Sequence, residues 1–293
     1  MPVNGQILQK TVKILESPQL FLPTKDMLSE RLLSARNMFS GLFQSIFQQN
    51  PKKQNTTFSR GLTCVIVTPI GPGHEKLAIE AERSINQAIA HSKGPFSDIF
   101  FFPIDDSEAK LGRSAARNIA VQQLLHEDFD WVFFLDADDL LLPTTFKTVT
   151  KYINKYNAIW GAIAVKEKES DQVTLRSPQY NVKTIKELVI LPPYATLQMG
   201  HFVKIHIAAK YPFDEKRNTG EDYDYYLRVW EKEKCIKITE QPFFINRRGL
   251  HSVGTRSATG QEWNIAIQKL QQEYIKKLKI TVKEAKLISI KVK

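Results

Sequence analysis

Continuous apolar runs alternate with amphipathic stretches through the middle of the chain. The runs Leu62–Ile70, Ile99–Ile104 and Trp131–Leu135 are short and rich in β-branched or aromatic residues, which is typical of strands buried on both faces of a parallel sheet. Between them, Glu75–His91 and Arg113–Leu125 carry apolar residues at helical spacing. Strands that alternate with helices predict right-handed crossover connections. We therefore expect an α/β fold with a doubly wound, mostly parallel, Rossmann-like sheet flanked by helices.

The segments on either side of this pattern have a different character. Met27–Phe47 repeats apolar residues every three or four positions and predicts a helix, whereas Gln48–Arg60 is polar and aperiodic and predicts a linker. Trp263 begins a second amphipathic helix, and the last residues of the chain alternate apolar side chains with lysines. The expected organisation is a helical N-terminal extension and linker over 1–60, a compact domain over 61–261 and a basic C-terminal helix or tail over 262–293.

Composition narrows the class of protein. Of the 293 residues, 42% are hydrophobic and 25% are charged, which is the balance of a globular protein. No apolar stretch approaches the ~18–20 residues that a membrane-spanning helix needs, and the start of the chain lacks the features of a cleaved signal peptide. Two cysteines far apart, Cys64 and Cys235, cannot make a disulfide framework or a cysteine zinc cluster. These features favour a cytoplasmic protein.

The net charge of +10 is concentrated at the two ends of the chain. Residues 1–60 and 262–293 each hold eight Lys/Arg against three Asp/Glu, whereas 61–261 holds 25 of each. A nucleic-acid enzyme usually carries its basic residues on the working domain, so nucleic acid is not an expected partner. The basic ends instead favour contact with an anionic membrane surface, as a peripheral protein on the inner face of the membrane.

Both flanking helices have an alternative interpretation. The apolar end of the N-terminal helix, Met38–Phe47, either lies in a membrane interface or packs on the main domain or on a second subunit of a homo-oligomer. The C-terminal segment either contacts the membrane or packs on the domain, with a frayed or strand-like end.

Three aspartates, Asp136, Asp138 and Asp139, follow the third predicted strand. Carboxylates on one tight loop repel each other in a low-dielectric crevice unless a cation or hydrogen bonds compensate. A hard divalent ion such as Mg²⁺ or Mn²⁺ prefers oxygen ligands and keeps positions open for phosphate oxygens. The alternative is that these carboxylates cap the next helix or lie in solvent.

Other chemistry-bearing residues fall at the same edge of the predicted sheet. Asp106 ends the preceding strand, and LGRSAARN opens the intervening helix with Arg113 and Arg117. In such sheets a ligand binds beyond the carboxyl ends of the strands, and a helix start with two guanidinium groups suits a nucleotide's base edge and phosphates. For Arg117 a buried structural ion pair is an equally good explanation.

The ordered motifs TCVIVTPI, PIDDSE, LGRSAARN, FLDADD and FDEKRNTGEDYDYYLRVW resemble those of the family 2 glycosyltransferases, which have the GT-A (nucleotide-diphospho-sugar transferase) fold. The resemblance covers roughly residues 61–256. It implies a nucleotide-binding set composed of Thr68, Pro69, Asp106, Arg113, Arg117 and Asp136, with Asp106 accepting a hydrogen bond from uracil. It implies a metal set composed of Asp138, Asp139 and His251. It also implies that Glu221-Asp222 is the family's ED pair, with the aspartate as general base.

The chain departs from that family pattern at two points. Its first loop is Gly71-Pro72-Gly73-His74 rather than a Tyr/Asn-rich loop, which affects the expected base-stacking contact. It also lacks the Q-x-x-R-W signature of processive polysaccharide synthases. Transfer of one or a few sugars is therefore favoured over polymerisation.

The chemistry of glycosyl transfer gives Asp138 and Asp222 distinct roles. A departing diphosphate gains negative charge, which a divalent ion held by Asp138, together with Arg or His donors, would stabilise. The acceptor hydroxyl must lose its proton, and Asp222 is the candidate base. One base acting opposite the leaving group predicts inversion at the sugar carbon. Alternatively, Glu221 and Asp222 lie in the first turn of a helix that Thr219 caps, and the two interpretations are compatible.

The remaining basic side chains carry weaker signals. His251 lies in a polar loop, where it is either a metal or diphosphate contact or an ordinary surface residue. Arg247 and Arg248 either bind diphosphate or form a solvated basic turn. His74 is a weak donor-site candidate, and the other histidines form no metal-ligand spacing.

The sequence features are compatible with three functions. The favoured one is a metal-dependent, inverting glycosyltransferase that uses Mn²⁺ or Mg²⁺ and a nucleotide-sugar donor, most simply a UDP-sugar, on a glycan or lipid-linked acceptor. The second is a sugar-nucleotide nucleotidyltransferase, although TPIGPGH does not supply its Gly-rich loop. The third is a catalytically silent binding module. Donor sugar, nucleotide base, acceptor and oligomeric state stay open.

Overall fold

A computed structural model describes residues 61–291, except for 128, 178, 218 and 251–259. The predicted N-terminal helix Met27–Phe47, the linker after it and His251 lie outside the described residues, and so do the last two residues of the chain.

Eight strands form one sheet, and two of the three predicted strands extend to slightly different bounds than expected. The second strand begins earlier, at Phe96, and the third ends at Phe134. The strands are β1 (Leu62–Ile70), β2 (Phe96–Asp105), β3 (Trp131–Phe134), β4 (Leu140–Leu141), β5 (Ala158–Glu167), β6 (Val173–Leu175), β7 (His201–Lys204) and β8 (Cys235–Arg248).

Nine helices occur in the described part of the chain. The two that sequence periodicity predicted between the first three strands have the predicted bounds. The helices are α1 (Glu75–His91), α2 (Arg113–Leu125), α3 (Thr145–Val149), α4 (Ile185–Ile190), α5 (Pro193–Thr196), α6 (Ile205–Lys210), α7 (Glu221–Lys232), α8 (Gly260–Lys277) and α9 (Val282–Lys291).

The sheet is mixed, with the strand order β2-β1-β3-β7-β5-β8-β4 and β6 paired to β5. The predicted parallel arrangement is present among β2, β1 and β3 and again between β5 and β8. The other pairings are antiparallel, so the sheet is less parallel than the sequence predicted. The reason is that β7 enters between β3 and β5 in the opposite direction, and only the first three strands carry the strand–helix alternation.

The sheet is covered on both faces, as its continuous apolar strands require. Val65 and Val67 of β1 face a core that includes residues of α2, α6, α7 and α8, whereas Cys64 and Ile66 face a second core with residues of α1 and α3. This alternation follows from the two-residue period of a strand.

The carboxyl ends of the first three strands lie side by side. Ile70 pairs with Asp105, and the Asp106 N–H donates to the Ile70 carbonyl at 2.8 Å. On the other side of β1, the Leu135 N–H donates to the Val67 carbonyl at 3.0 Å. The segments that carry Asp106 and the three aspartates of 136–139 therefore leave the sheet at one edge.

The C-terminal segment forms a helical hairpin that packs on the domain. Helix α8 buries Ile267, Leu270 and Tyr274 in the same core as α7. The end of the chain continues as helix α9, so the strand-like alternative is wrong for the described residues 282–291. Among the described residues, no helix is both long and apolar enough to cross a bilayer.

Candidate active site

Helix α2 begins at the acidic edge of the sheet, where Asp106 holds the segment that leads into the helix. Gly112 precedes the helix with φ at 78°, in the left-handed region that glycine adopts readily. The two carboxylate oxygens of Asp106 accept the N–H groups of Leu111 and Gly112, each at 2.7 Å. Asp106 is buried. This aspartate, which the resemblance associates with uracil, thus also fixes the start of α2.

The first residue of α2 reaches across the crevice to the ED pair. Arg113 forms a bidentate ion pair with Glu221, with one guanidinium nitrogen 2.7 Å from Oε2. Glu221 is 2% exposed, so this is a shielded pair. Paired guanidinium and carboxylate groups of this kind fix geometry as well as charge. Glu221 is therefore occupied by Arg113 in this structure.

One turn further along α2, Arg117 pairs with Asp136. Arg117 is 2% exposed whereas the Asp136 side chain is 36% exposed, so the ion pair that was one of the two alternatives is present with its guanidinium buried and its carboxylate partly exposed. Burial alone would lower the pKa of Arg117, but the carboxylates of Asp136 and Glu221 more than offset it, so its pKa is raised. Arg117 thus stays charged and lies close to the carboxylates of both Asp136 and Glu221.

The next residue of α2, Asn118, holds the segment that leads toward α7. Its side-chain amide donates to the Phe213 carbonyl at 2.9 Å and accepts the Phe213 N–H at 2.8 Å. The LGRSAARN motif therefore connects three predicted groups, with Gly112 on Asp106, Arg113 on Glu221 and Arg117 on Asp136.

The DADD segment is a tight turn in which the Asp139 N–H donates to the Asp136 carbonyl at 3.0 Å. The following helix α3 has Thr144 at its N-cap position, so the three aspartates do not cap it. Asp136, Asp138 and Asp139 each offer a carboxylate oxygen, and these oxygens lie within 4.8 Å of one another. Asp138 and Asp139 are buried.

The electrostatics of this turn suit a divalent cation. Burial raises the pKa of Asp139 well above its ordinary value, and the charges of Asp138 and Asp136 raise it further. Hydrogen bonds from Asn246 and from the Arg247 N–H oppose that rise. A hard cation would relieve the repulsion with the oxygen ligands it prefers. The three carboxylates therefore fit a hard divalent cation.

The end of β8 supports the acidic turn, a role that the sequence did not reveal. Asn246 and the Arg247 N–H donate to Asp139 Oδ1 at 3.1 and 3.2 Å. The Arg247 guanidinium donates to the Asp138 carbonyl and pairs with Glu80 of α1. Arg247 is 7% exposed, so the solvated-turn alternative is wrong for this residue. Its neighbour Arg248 is exposed and pairs with Glu167.

Helix α7 begins at Glu221, immediately after a left-handed glycine. Gly220 has φ at 73°, and no side chain caps the helix, so the predicted Thr219 cap is not formed. A Cβ at Gly220 would lie 3.2 Å from Ile267 Cδ1 of α8. Asp222 is half-buried in the first turn. The chain therefore passes close to α8 just before α7 begins.

The pKa of Asp222 is raised toward neutral pH. Burial raises its pKa to about 6, and the Glu221 charge adds to the rise. Arg113, the Tyr223 N–H and Arg117 oppose it. Carboxylates tuned to this range are typical of general bases.

Tyr226 lies one turn after Asp222 on α7 and was not predicted as a site residue. It is 1% exposed, and its hydroxyl has no hydrogen-bond partner among the described residues. Burial raises the pKa of Tyr226, and the charges of Asp222 and Asp136 raise it further. The hydroxyl thus lies in the field of both acidic groups. Spacing of i, i+4 from Asp222 was the signal that could have found it.

The other predicted nucleotide-binding residues end β1. Thr68 and Pro69 are both buried, and Thr68 Oγ1 has no partner among the described residues. They lie between the ends of β2 and β3, next to the segments that carry Asp106 and Asp136. His74 precedes α1, and its Nε2 is buried.

The mixed sheet, its flanking helices and its acidic edge make up a fold of the GT-A type. Residues 97–206 match the model of Glycosyl transferase family 2. The resemblance predicted from the motifs is confirmed for this segment of the chain, and the solved structures described below share its fold.

The individual relatives have low sequence identity to this chain. The chain is 28% identical over 140 residues to an uncharacterized glycosyltransferase of Methanocaldococcus jannaschii, which is 46% of this chain and 47% of that protein. The chain thus matches about half the length of this curated relative.

Solved structures share the fold. S. aureus TarS 1–349 in complex with UDP-GlcNAc superposes with a TM-score of 0.52 at 13% identity, over 72% of this chain and 65% of that one. S. aureus TarS gives 0.50 at 12% identity, over 73% of this chain and 40% of that one.

Proposed function

We propose that this protein is an inverting glycosyltransferase that moves a sugar from a nucleotide-sugar donor to a hydroxyl of a glycan or lipid-linked acceptor. The observation that carries the proposal is the set of contacts made by α2. Its Arg113 and Arg117 join Glu221 and Asp136, and Gly112, which precedes the helix, joins Asp106. A nucleotide diphosphate and an acceptor need adjoining sites of this kind.

The donor is proposed to be a UDP-sugar bound with Mn²⁺ or Mg²⁺. TarS, a fold neighbour, was solved with UDP-GlcNAc and with UDP. Asp136, Asp138 and Asp139 would hold the cation, which supplies positive charge to the departing diphosphate. Thr68, Pro69, Asp106, Arg113 and Arg117 are the proposed nucleotide contacts. His251 stays a prediction as a metal or diphosphate contact.

Asp222 is the proposed general base, and Glu221 is proposed to orient Arg113. The acceptor oxygen attacks the anomeric carbon, the bond from that carbon to the diphosphate oxygen breaks, and its electron pair leaves with the diphosphate. The hydroxyl proton passes to Asp222. Attack opposite the leaving group inverts the anomeric configuration. Support comes from the position of Asp222 in a rigid first turn and from its raised pKa.

Binding and turnover separate this function from its alternatives. Calorimetric titration with UDP is expected to show binding that strengthens with MnCl₂. With a panel of nucleotide sugars, at least one donor is expected to release UDP, either by hydrolysis of the sugar–diphosphate bond or by transfer of the sugar. Binding without turnover of any donor would identify a silent module. Pyrophosphate release from UTP and a sugar phosphate would identify a nucleotidyltransferase.

Matched variants on α7 test the base. Asp222→Asn is expected to slow transfer by roughly 10²–10⁴-fold with donor affinity nearly unchanged. Asp224→Asn is the control, because Asp224 lies two residues along the same helix and pairs with Arg228 at 2.8 Å. Near-normal turnover of Asp222→Asn would show that another group takes the proton.

A further inference from the structure

Helix α9 presents an outward face on which apolar and lysine side chains alternate. Val282 is 74% exposed, Leu287 is 49% exposed and Ile290 is 70% exposed. Lys283 and Lys286 lie between them and are also exposed. Ala285 and Ile288, on the opposite side of the helix, pack against the domain core. The helix thus has one anchored side and one apolar side with no cover among the described residues.

A groove opens beside this face. It has a volume of about 460 Å³ and is lined almost entirely by apolar atoms from α4, α8, α9 and the turn between α8 and α9. Its lining includes Ile190, Ile275, Ile280, Val282, Ala285 and Ile290. Because Val282 and Ile290 belong both to the groove and to the exposed face, the two form one continuous apolar surface, which we call the α9 surface.

The α9 surface is held rigidly on the domain. Thr281 and Glu284 cap the helix reciprocally, with the Glu284 N–H on Thr281 Oγ1 at 3.2 Å and the Thr281 N–H on Glu284 Oε2 at 2.9 Å. Glu284 also pairs with Lys186 of α4 at 2.8 Å. The preceding turn places Lys279 at φ 51°, and the Ile280 N–H closes the end of α8 on the Ile275 carbonyl.

The positive charge around the α9 surface determines which kind of partner can bind to it. Residues 276–293 contain seven lysines and one acidic residue, Glu284. Lys276, Lys279, Lys283 and Lys286 are all exposed. Protein–protein interfaces are depleted of lysine, and a second copy of this chain would bring like charges together. An anionic lipid leaflet can bind both the apolar side chains and the lysines. The lysine stems lie along apolar surface while their ammonium groups reach the lipid phosphates.

We propose that the α9 surface docks the protein on an anionic lipid bilayer, with Val282, Leu287 and Ile290 in the acyl boundary and the flanking lysines among the phosphates. The proposal stands on the C-terminal hairpin and does not depend on the transferase activity. It assigns membrane contact to the outer helix α9, because the apolar stripe of α8 is already used in the core.

Vesicle co-sedimentation of the full chain tests the proposal. Vesicles of phosphatidylcholine with 30% phosphatidylglycerol are compared with pure phosphatidylcholine in 0.1 M NaCl, where charges are only partly screened. The unmodified chain is expected to bind the anionic vesicles at least tenfold more tightly. Val282→Ser with Ile290→Ser, and separately Lys283→Gln with Lys286→Gln, are each expected to raise the lipid concentration for half-binding at least fivefold.

Matched controls place the same changes elsewhere on exposed positions. Ile119→Ser with Ile265→Ser, and Lys151→Gln with Lys155→Gln, are expected to bind as the unmodified chain does. Melting curves check that all four variants stay folded, which is expected because every changed side chain is exposed.

Three results would overturn the proposal. One is anionic-vesicle binding that the α9 variants do not weaken, and another is equal weakening by the control pairs. The third is a dimer of the unmodified chain that Val282→Ser with Ile290→Ser dissociates while vesicle binding stays unchanged, which would make the α9 surface a contact between copies of this chain.

Discussion

The charged side chains of the crevice differ in how freely they can act. Asp106 is committed to two backbone N–H groups, Glu221 to Arg113, and Asp136 to Arg117. Among the described residues, the Asp222 carboxylate accepts a hydrogen bond only from the Tyr223 N–H of its own helix, at 2.8 Å. Of the two carboxylates in the ED pair, Asp222 is therefore the one that can still accept a hydrogen bond from an incoming hydroxyl.

The pKa of Asp222 predicts how transfer responds to pH. Because burial raises that pKa to about 6, Asp222 is ionised at pH 7 and protonated at pH 5. A protonated carboxyl cannot accept the acceptor's proton, so kcat/KM is expected to fall about tenfold for each pH unit below 6 and to level off above 7. Initial rates at saturating cation between pH 4.5 and 8 measure this. A flat profile down to pH 5 would argue against a proton acceptor tuned to this range.

Arg247 is expected to matter for cation binding although it offers no ligand to a metal. Its guanidinium and N–H hold the Asp138 carbonyl and the Asp139 carboxylate. Arg247→Gln is expected to weaken Mn²⁺ binding by roughly ten- to a hundredfold, which is typical of losing a group that orients a ligand.

The control for Arg247 is its neighbour. Arg248→Gln removes an exposed pair with Glu167 and is expected to leave Mn²⁺ affinity within about twofold. Electron paramagnetic resonance of free Mn²⁺ measures both affinities. Equal losses in the two variants would mean that net charge, rather than the contact with the acidic turn, controls the site.

Among the secondary-structure elements, α2 and α7 together fix the crevice. Helix α2 supplies the contacts to three acidic groups, and α7 supplies the ED pair from its first turn. Both helices begin after a glycine with positive φ, Gly112 and Gly220. Their chain directions at the site thus depend on two backbone conformations that other residues rarely adopt.

Gly220→Ala is expected to damage both stability and turnover. An L residue at φ 73° is strained, and its Cβ would press on Ile267 at 3.2 Å. We expect a loss of about 1–2 kcal/mol in the free energy of unfolding, measured with urea. Turnover should fall as well, because Glu221 and Asp222 follow directly. Gly71→Ala is the control for stability, since a Cβ there meets nothing within 4 Å. Equal effects of the two changes would contradict the argument.

Local pattern predicted the first half of the domain well and the second half poorly. The bounds of β1, α1 and α2 follow from continuous apolar runs and helical periodicity, which are local signals. The insertion of β7 between β3 and β5 depends on long-range pairing, such as Phe133 with Phe202, that a single sequence does not display. The reversal of direction in the sheet was missed for that reason.

The candidate site was predicted to a similar extent. Acidic residues at strand ends were found because parallel strands bring their carboxyl ends to one edge. Arg247 was left between two alternatives, because its partners Asp138 and Glu80 are more than 100 residues away in the chain. Tyr226 was missed because the run EDYDYY carries three tyrosines, and only the i, i+4 spacing from Asp222 separates Tyr226 from the other two.

For the molecule as a whole, the C-terminal hairpin has two separable parts. Helix α8 completes the core with Ile267, Leu270 and Tyr274, and Ile280 closes the turn. Burying four such side chains contributes on the order of 6–12 kcal/mol, which is comparable to the whole stability of a domain. Helix α9 leaves half of its surface outside.

Two truncations are expected to differ sharply. A chain that ends at Thr281 should keep its far-ultraviolet circular dichroism and a cooperative thermal transition but lose binding to anionic vesicles. A chain that ends at Trp263 should fail to fold, because the core contacts of α8 are removed. A cooperative transition in the shorter chain would show that α8 is dispensable, and vesicle binding by the longer one would move the membrane contact away from α9.

The length of α8 limits the distance between Asp222 and a membrane that is bound by α9. Ile267 packs beneath Gly220, next to Asp222, and the turn at Lys279 carries the helix that faces the lipid. Ile267 is ten residues before Lys277, the last residue of α8, which is about 15 Å at 1.5 Å per residue. An acceptor anchored in that bilayer would thus need to extend its reactive hydroxyl no more than roughly two nanometres above the headgroups, a reach that suits a short lipid-linked oligosaccharide.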